Sequence, residues 1–399
     1  MTRRRWGWTG SGVGLAALIV WLMVRPMPFF VVTKAFERPI DTSLVPAPLR
    51  TLHAEECGVC HRDYFEEWST TIHSQAWSEP YFQTDWSFED RPQICRNCHT
   101  PLDRQQPDRV LGFRDRAKWR PIVEPNPDFD AELQHQGVTC AVCHLREGAI
   151  LGPYGDSIAP HPVRKMTDPN EVCVRCHVVN GERWDTFLRI PPCGTVTEIQ
   201  TARTGGPRGR SGETVVPDLA SLGCVACHMP LVRRALAAGG EVRTARRHLW
   251  RGGHEPAMVT SALGATFEEI PAAQGSRAFR LTLTNVGAAH YLPTGTPDRH
   301  LTVRLRLLDA QGDVLEERSA KLMRTILWRP FIVDLWDTRL PRGKPRSYEL
   351  TFSDDGRGAR VEALVRYHLL EERRRRRIDY ANEEPIAYDV FRSVLELAR

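Results

Sequence analysis

One pentapeptide pattern, Cys-x-x-Cys-His, occurs five times, and it constrains this chain more than any other feature. The copies are Cys57-Gly-Val-Cys60-His61, Cys95-Arg-Asn-Cys98-His99, Cys140-Ala-Val-Cys143-His144, Cys173-Val-Arg-Cys176-His177 and Cys224-Val-Ala-Cys227-His228. They use ten of the 11 cysteines in 399 residues, which is long enough for two ordinary domains. The motifs start 38, 45, 33 and 51 residues apart, too close for a conventional apolar core around each one. The text between them is rich in Pro and Gly and weakly periodic, with short helical patches such as Asp63 to Trp77 and a loop-like stretch from Thr201 to Glu213.

Two thiols three residues apart, followed at once by an imidazole, suit covalent attachment of haem. Both vinyl groups of one porphyrin edge meet the thiols, and the His reaches the iron as proximal ligand. Zinc is the competing chemistry for paired Cys-x-x-Cys, but a zinc ribbon does not require His after every second Cys. The expected cofactors are therefore five haem c groups, with His61, His99, His144, His177 and His228 as proximal ligands. Porphyrins would then form much of the interior, wrapped by short helices and loops.

The sixth ligand decides what each iron does. Nine of the 14 histidines lie outside the motifs. His73, His161, His248, His254 and His290 are among them. His53 and His135, just ahead of motifs, are further ones; His300 and His368 sit in strand-like text and read as structural. Cys193, the eleventh cysteine, is a free thiol or, in the sharper reading, a sulfur ligand beside a haem.

After about Ala257 the cysteines stop and period-two alternation begins. It covers Ala278–Asn285, Leu301–Leu308, Val314–Arg318, Tyr348–Phe352 and Ala359–Tyr367. Such runs predict antiparallel strands in a β-sandwich. Residues 371–399, with the run Arg373 to Arg377, read as a helical tail whose basic face is solvated or docks an acidic group. At the other end, Arg3 to Arg5 precede an apolar run from Trp8 to Val24, which predicts an uncleaved signal anchor, a transmembrane helix. The alternative is a signal peptide cleaved at the poor site Thr33-Lys34-Ala35, leaving an exported soluble or cell-surface chain. The expected divisions are thus an anchor at 1–35, a pentahaem domain at 36–256, a β-sandwich at 257–370 and a helical tail at 371–399.

The net charge of +5 belongs to the apoprotein alone. Five haems would add about ten propionate charges, roughly half offset by the ferric cores, so the basic balance does not argue for nucleic acid.

The sequence Cys57-x-x-Cys60-His61-x-x-x-Phe65-x-x-Trp68-x-x-x-x-His73 resembles the cytochrome c554-like multihaem group. That group is related in haem packing to hydroxylamine oxidoreductase and pentahaem nitrite reductase. Gly137–His144, Cys224–Pro230 and His248–His254 carry the same resemblance, and Asn285–Gly295 looks like the β-domain motif of such pentahaem proteins. The resemblance implies that His73 ligates a neighbouring haem, and on its basis His73, His161, His248, His254 and His290 are the leading distal candidates. Two departures separate the chain from the enzymes. All five motifs end in His, where pentahaem nitrite reductases typically use Lys for one, and there are too few motifs for hydroxylamine oxidoreductase. The reading is a periplasmic, membrane-anchored electron carrier serving redox partner proteins such as other cytochromes or a respiratory complex. Its alternative is a haem enzyme acting on a small nitrogen or sulfur compound at one open haem.

Overall fold

A computed structural model describes residues 12–20, 38–114, 120–156, 158–177, 195, 198–199, 223–327 and 333–397. Cys193 lies outside the described residues. Of the expected anchor at 1–35, only the helical stretch 12–20 is described. No helix among the described residues is long and apolar enough to cross a membrane.

The motif region is built from short pieces. Its helices are Ala54–Gly58, Arg62–Ser69, Pro80–Phe88, Arg96–His99, Ala131–His135, Cys140–His144, Glu171–His177 and Cys224–His228. The helical patch expected over Asp63 to Trp77 ends at Ser69. Local chemistry starts two of the others. Glu79 caps Pro80–Phe88, its carboxylate accepting from the N–H groups of Tyr81 (3.0 Å) and Phe82 (2.6 Å). Pro80 fits the first turn because its missing N–H would have no helical partner there. Asp130 caps Ala131–His135 by accepting from the Leu133 N–H.

Small ribbons join these helices. β1 (Asp108–Phe113) pairs with β2 (Pro121–Pro125), and β3 (Leu145–Arg146), β4 (Ala149–Gly152) and β5 (Val163–Lys165) form a three-stranded sheet. β6 (Leu231–Ala235) and β7 (Val242–Arg246) make a hairpin. Among the described residues apolar packing is thin, with one cluster of Ile40, Leu52, Leu102, Leu133, Ala141, Val142 and Leu145 and isolated buried side chains such as Trp68 and Trp86.

The second region holds β8 (Leu263–Ile270), β9 (Ser276–Asn285), β10 (His300–Leu308), β11 (Val314–Leu322), β12 (Arg324–Leu327), β13 (Val333–Asp337), β14 (Arg346–Ser353), β15 (Arg360–His368) and β16 (Ala387–Glu396). One antiparallel sheet runs β14-β9-β8 and the other β11-β10-β15-β16; β12 and β13 pair separately. Period-two burial on β9, β10 and β15 sends Phe279, Leu281, Leu283, Leu301, Val303, Leu305, Val361, Ala363, Val365 and Tyr367 into one shared core. Glu362, buried on β15, is bracketed by Arg306 of β10 and Arg392 of β16.

The helical tail expected over 371–399 is corrected. Only Glu372–Arg377 is helical, and Ala387–Glu396 is a strand paired along β15 from Arg360↔Glu396 to His368↔Ala387. Tyr388, Val390, Phe391 and Val394 are strand formers, and pairing on an open edge outweighs any local helical preference. The β-region therefore runs past 370, to 396. Arg374 does not project freely either: it pairs with Asp85 and Glu89 of helix Pro80–Phe88 and ties the two regions together.

Candidate functional site

Four motifs lie on short helical segments and the first bridges the helices Ala54–Gly58 and Arg62–Ser69, and helix geometry explains the spacing. Positions i and i+3 lie on one face with i+4 beside them, so one turn presents two thiols and an imidazole in the same direction. The backbone bond from His61 N–H to Cys57 O, 2.9 Å, closes such a turn in the first motif.

The motif rings are oriented from behind. The Nδ1 atoms of His61, His144 and His228 lie 2.6, 2.6 and 2.7 Å from the carbonyl oxygens of Leu236, Leu151 and Arg251. His99 Nδ1 makes the same kind of contact with Ala76 O. A carbonyl can only accept, so Nδ1 carries the proton and Nε2 is left as a bare nitrogen donor. Burial holds His99 down at about 4 and His144 below its ordinary value, so these imidazoles are neutral at physiological pH.

Four motif histidines face a second histidine. Ring centroids are 6.4 Å apart for His61 and His161, 6.4 Å for His177 and His73, 5.9 Å for His144 and His248, and 6.4 Å for His228 and His290. Two imidazoles on opposite sides of one metal, with bonds of about 2 Å each, would place their centroids about 6 Å apart. Burial is the main cause holding the facing His73, His248 and His290 at about 4, again as neutral donors. His290 comes from the loop between β9 and β10. Asn285 holds that loop, its side-chain N–H donating to His290 O at 2.8 Å and to Leu340 O at 3.3 Å.

His99 differs. Phe82 lies flat against its ring, centroids 3.5 Å apart and planes 7° apart, with Trp77 and Trp86 behind Phe82. Among the described residues no histidine ring faces His99 as in the other four pairs. His254 lines the same cavity, its Nε2 3.4 Å from an Arg299 N–H.

The remaining histidines are placed elsewhere. His53 Nε2 lies 2.8 Å from Asp130, and His135 is exposed at the end of its helix. His300 and His368 stack at 4.2 Å across β10 and β15.

Thiols from different motifs also meet. Cys57 hydrogen-bonds to Cys140, Cys98 to Cys176 and Cys173 to Cys224. In space the first motif is therefore beside the third, and the fourth beside both the second and the fifth. A cavity of about 3570 Å³ runs between them, bordered by His99, His144, His177, His228 and His290. Among the described residues no group of three or more His, Cys, Asp or Glu side chains could by itself hold a metal ion, which leaves the zinc reading without a site. The donor set fits haem: paired thiols, tautomer-locked imidazoles, facing rings and an apolar cavity.

Sequence reasoning did not single out Phe82, Glu67 or Glu198. Phe82 carries no signal in the text, because its role depends on a helix meeting a motif 17 residues later.

Residues 56–117 match a family model described as cytochrome c554 and c-prime. No curated protein matches the chain. Among solved structures, the chain is similar to a penta-heme cytochrome c552 from Thermochromatium tepidum, with a TM-score of 0.62 and 18% identity over 87% of this chain and 99% of that one. A structural genomics target, SoR45, matches with a TM-score of 0.17 and 11% identity over 34% of this chain and 84% of that one, and carries no argument.

Proposed function

We propose that this chain, which has a multihaem cytochrome c fold, attaches five haem c groups through its ten motif cysteines and transfers electrons among them. The carrying observation is the set of four facing histidine pairs at 5.9–6.4 Å. Bound between two imidazoles, a haem iron takes and gives one electron with little change in coordination, which suits transfer rather than substrate binding. This chain's own residues do the rest. Backbone carbonyls would keep Nε2 free for the metal, the largely apolar cavity would receive the porphyrins, and the nearness of cysteines from different motifs would bring neighbouring sites together. On this reading His61/His161, His144/His248, His177/His73 and His228/His290 are the ligand sets. The first site would then neighbour the third, and the fourth would neighbour the second and fifth, an order unrelated to chain order.

Covalent haem attachment takes place outside the cytoplasm, so a bacterial periplasmic location belongs to the same proposal. The partners are redox proteins, other cytochromes or a respiratory complex. Retention by residues 8–24 is read by fractionation, where a soluble full-length chain would remove the anchor.

His99 favours a second reading, an enzyme acting on a small nitrogen or sulfur compound at one open haem, because among the described residues no histidine ring faces it as in the other four pairs. Carbon monoxide added to the reduced holoprotein separates the two readings. Unchanged bands mean five closed sites, whereas a shift in about one fifth of the haem means one open iron. Haem content by pyridine haemochromogen tests the count of five.

A further inference from the structure

Two nearly buried carboxylates in this protein touch no motif residue. Glu67, on helix Arg62–Ser69, accepts two hydrogen bonds from the Arg234 guanidinium (2.9 Å each) and one from Arg247 Nε (2.7 Å). It also accepts from the backbone N–H of His248 at 2.7 Å. Glu198 accepts from Arg339 Nη1 (2.6 Å), the Thr294 hydroxyl (2.7 Å) and the backbone N–H of Tyr291 (3.1 Å). Arg339 itself also donates to Pro293 O, in the same loop.

Burying a carboxylate is costly even when an arginine neutralises it, so ion pairs of this kind are weak devices for stability alone. What the two share is the additional acceptance from a peptide N–H at or next to a particular histidine. Those histidines, His248 and His290, are the rings that face His144 and His228. Each ring is also tied at Nδ1, to Arg246 O at 2.9 Å and to Tyr291 O at 2.8 Å. Backbone position and ring rotation are thus both set, and Nε2 is the nitrogen left over. The anchors come from distant parts of the chain. Glu67 follows the first motif yet holds the ring facing the third. Glu198 lies between the fourth and fifth motifs yet holds a loop of the β-region.

We infer that Glu67 and Glu198 are positioning residues, each clamping the backbone beside a second imidazole, His248 or His290, so that the ring closes its site from the far side. The inference rests on the proposed facing-pair ligation. A Gln at either position offers one acceptor oxygen in place of two and turns an N–H toward a donor, which weakens the clamp without emptying the space.

The test uses the full-length holoprotein. E67Q and E198Q, made separately with five haems attached, are reduced and exposed to carbon monoxide, and the oxidised forms are read by electron paramagnetic resonance. In each, the carbon monoxide-responsive fraction rises by about one fifth of total haem over wild type, with matching loss of one low-spin signal. H248A and H290A serve as references. If these leave the spectra unchanged, the facing-pair reading fails, and the clamp fails with it. If they raise the responsive fraction while E67Q and E198Q match wild type, the clamp alone is overturned. Should a Gln variant not mature with five haems, E67D or E198D replaces it, drawing the carboxylate back by one methylene. The same rise supports the clamp, and a wild-type spectrum overturns it.

Discussion

The two halves of this molecule solve the problem of an interior in different ways. In the β-region twenty buried apolar residues, from two sheets, the helix Pro256–Ala262 and adjoining loops, meet in one core. Among its described residues the longer motif region has a cluster of seven, and its motif side chains border, together with β-region residues such as Tyr367 and Tyr388, a cavity of about 3570 Å³. The β-region thus carries its apolar interior in its own side chains, as an amphipathic sheet does whenever its inner face alternates. The motif region leaves that role to a bound group, and its polypeptide mostly orients ligands. The Asn285–Gly295 loop is one place where the two meet, because a sheet with a large core of its own supplies His290 to a region with a small one.

The largest expected effect comes from preventing covalent attachment altogether. In a strain unable to attach haem, the β-region should survive as a protease-resistant fragment spanning roughly 257–399, while residues 54–256 are digested. Equal resistance of both halves would break the comparison. Next, F279A removes a ring at the centre of the β core and should cost about 3–5 kcal/mol there. Monitored by circular dichroism and haem absorption in rising denaturant, only the His290-closed site, about one fifth of the haem, should change along with the β signal. Loss of the whole haem spectrum at the same midpoint would show that the halves unfold together.

A smaller effect is expected from D130A in the motif region. It removes the cap of helix Ala131–His135 and the partner of His53, and should cost about 1 kcal/mol in denaturant midpoints.

Acidity provides the finest test. Burial is the main cause lowering His368 to about 4 in the folded sheet, against an ordinary value near 6.5. Between those values the unfolded chain binds more protons, so this contribution to stability is present above pH 6.5 and lost as pH falls toward 4. Wild type should therefore lose β-region stability relative to H368N over that window. Parallel pH profiles for the two proteins would count against it.

The strands that could be read from the text, β9, β10, β11, β14 and β15, are those with local alternation and turn residues at their ends. β16 was mistaken for helix because its partner, β15, lies about twenty residues earlier and nothing local announces the pairing. At the site, His73, His161, His248 and His290 all stand opposite motif histidines. His254, ranked with them on the same resemblance, lies instead beside Arg299. Histidine identity and rough position are visible in a sequence, but the ring each one faces depends on long-range packing.

By itself the sequence determined the chemistry of attachment, since Cys-x-x-Cys-His needs only one helical turn to present two thiols and an imidazole together. It also determined that the chain would divide into a ligand-rich half and an alternating half, because both patterns are local. Only the tertiary structure decided which second histidine faces four of the motifs, that Phe82 meets His99, and that Glu67 and Glu198 hold rings belonging to distant segments. Each of these contacts joins residues dozens of positions apart or lying on separate elements, and such pairings follow from how the elements pack against one another, which no local pattern encodes.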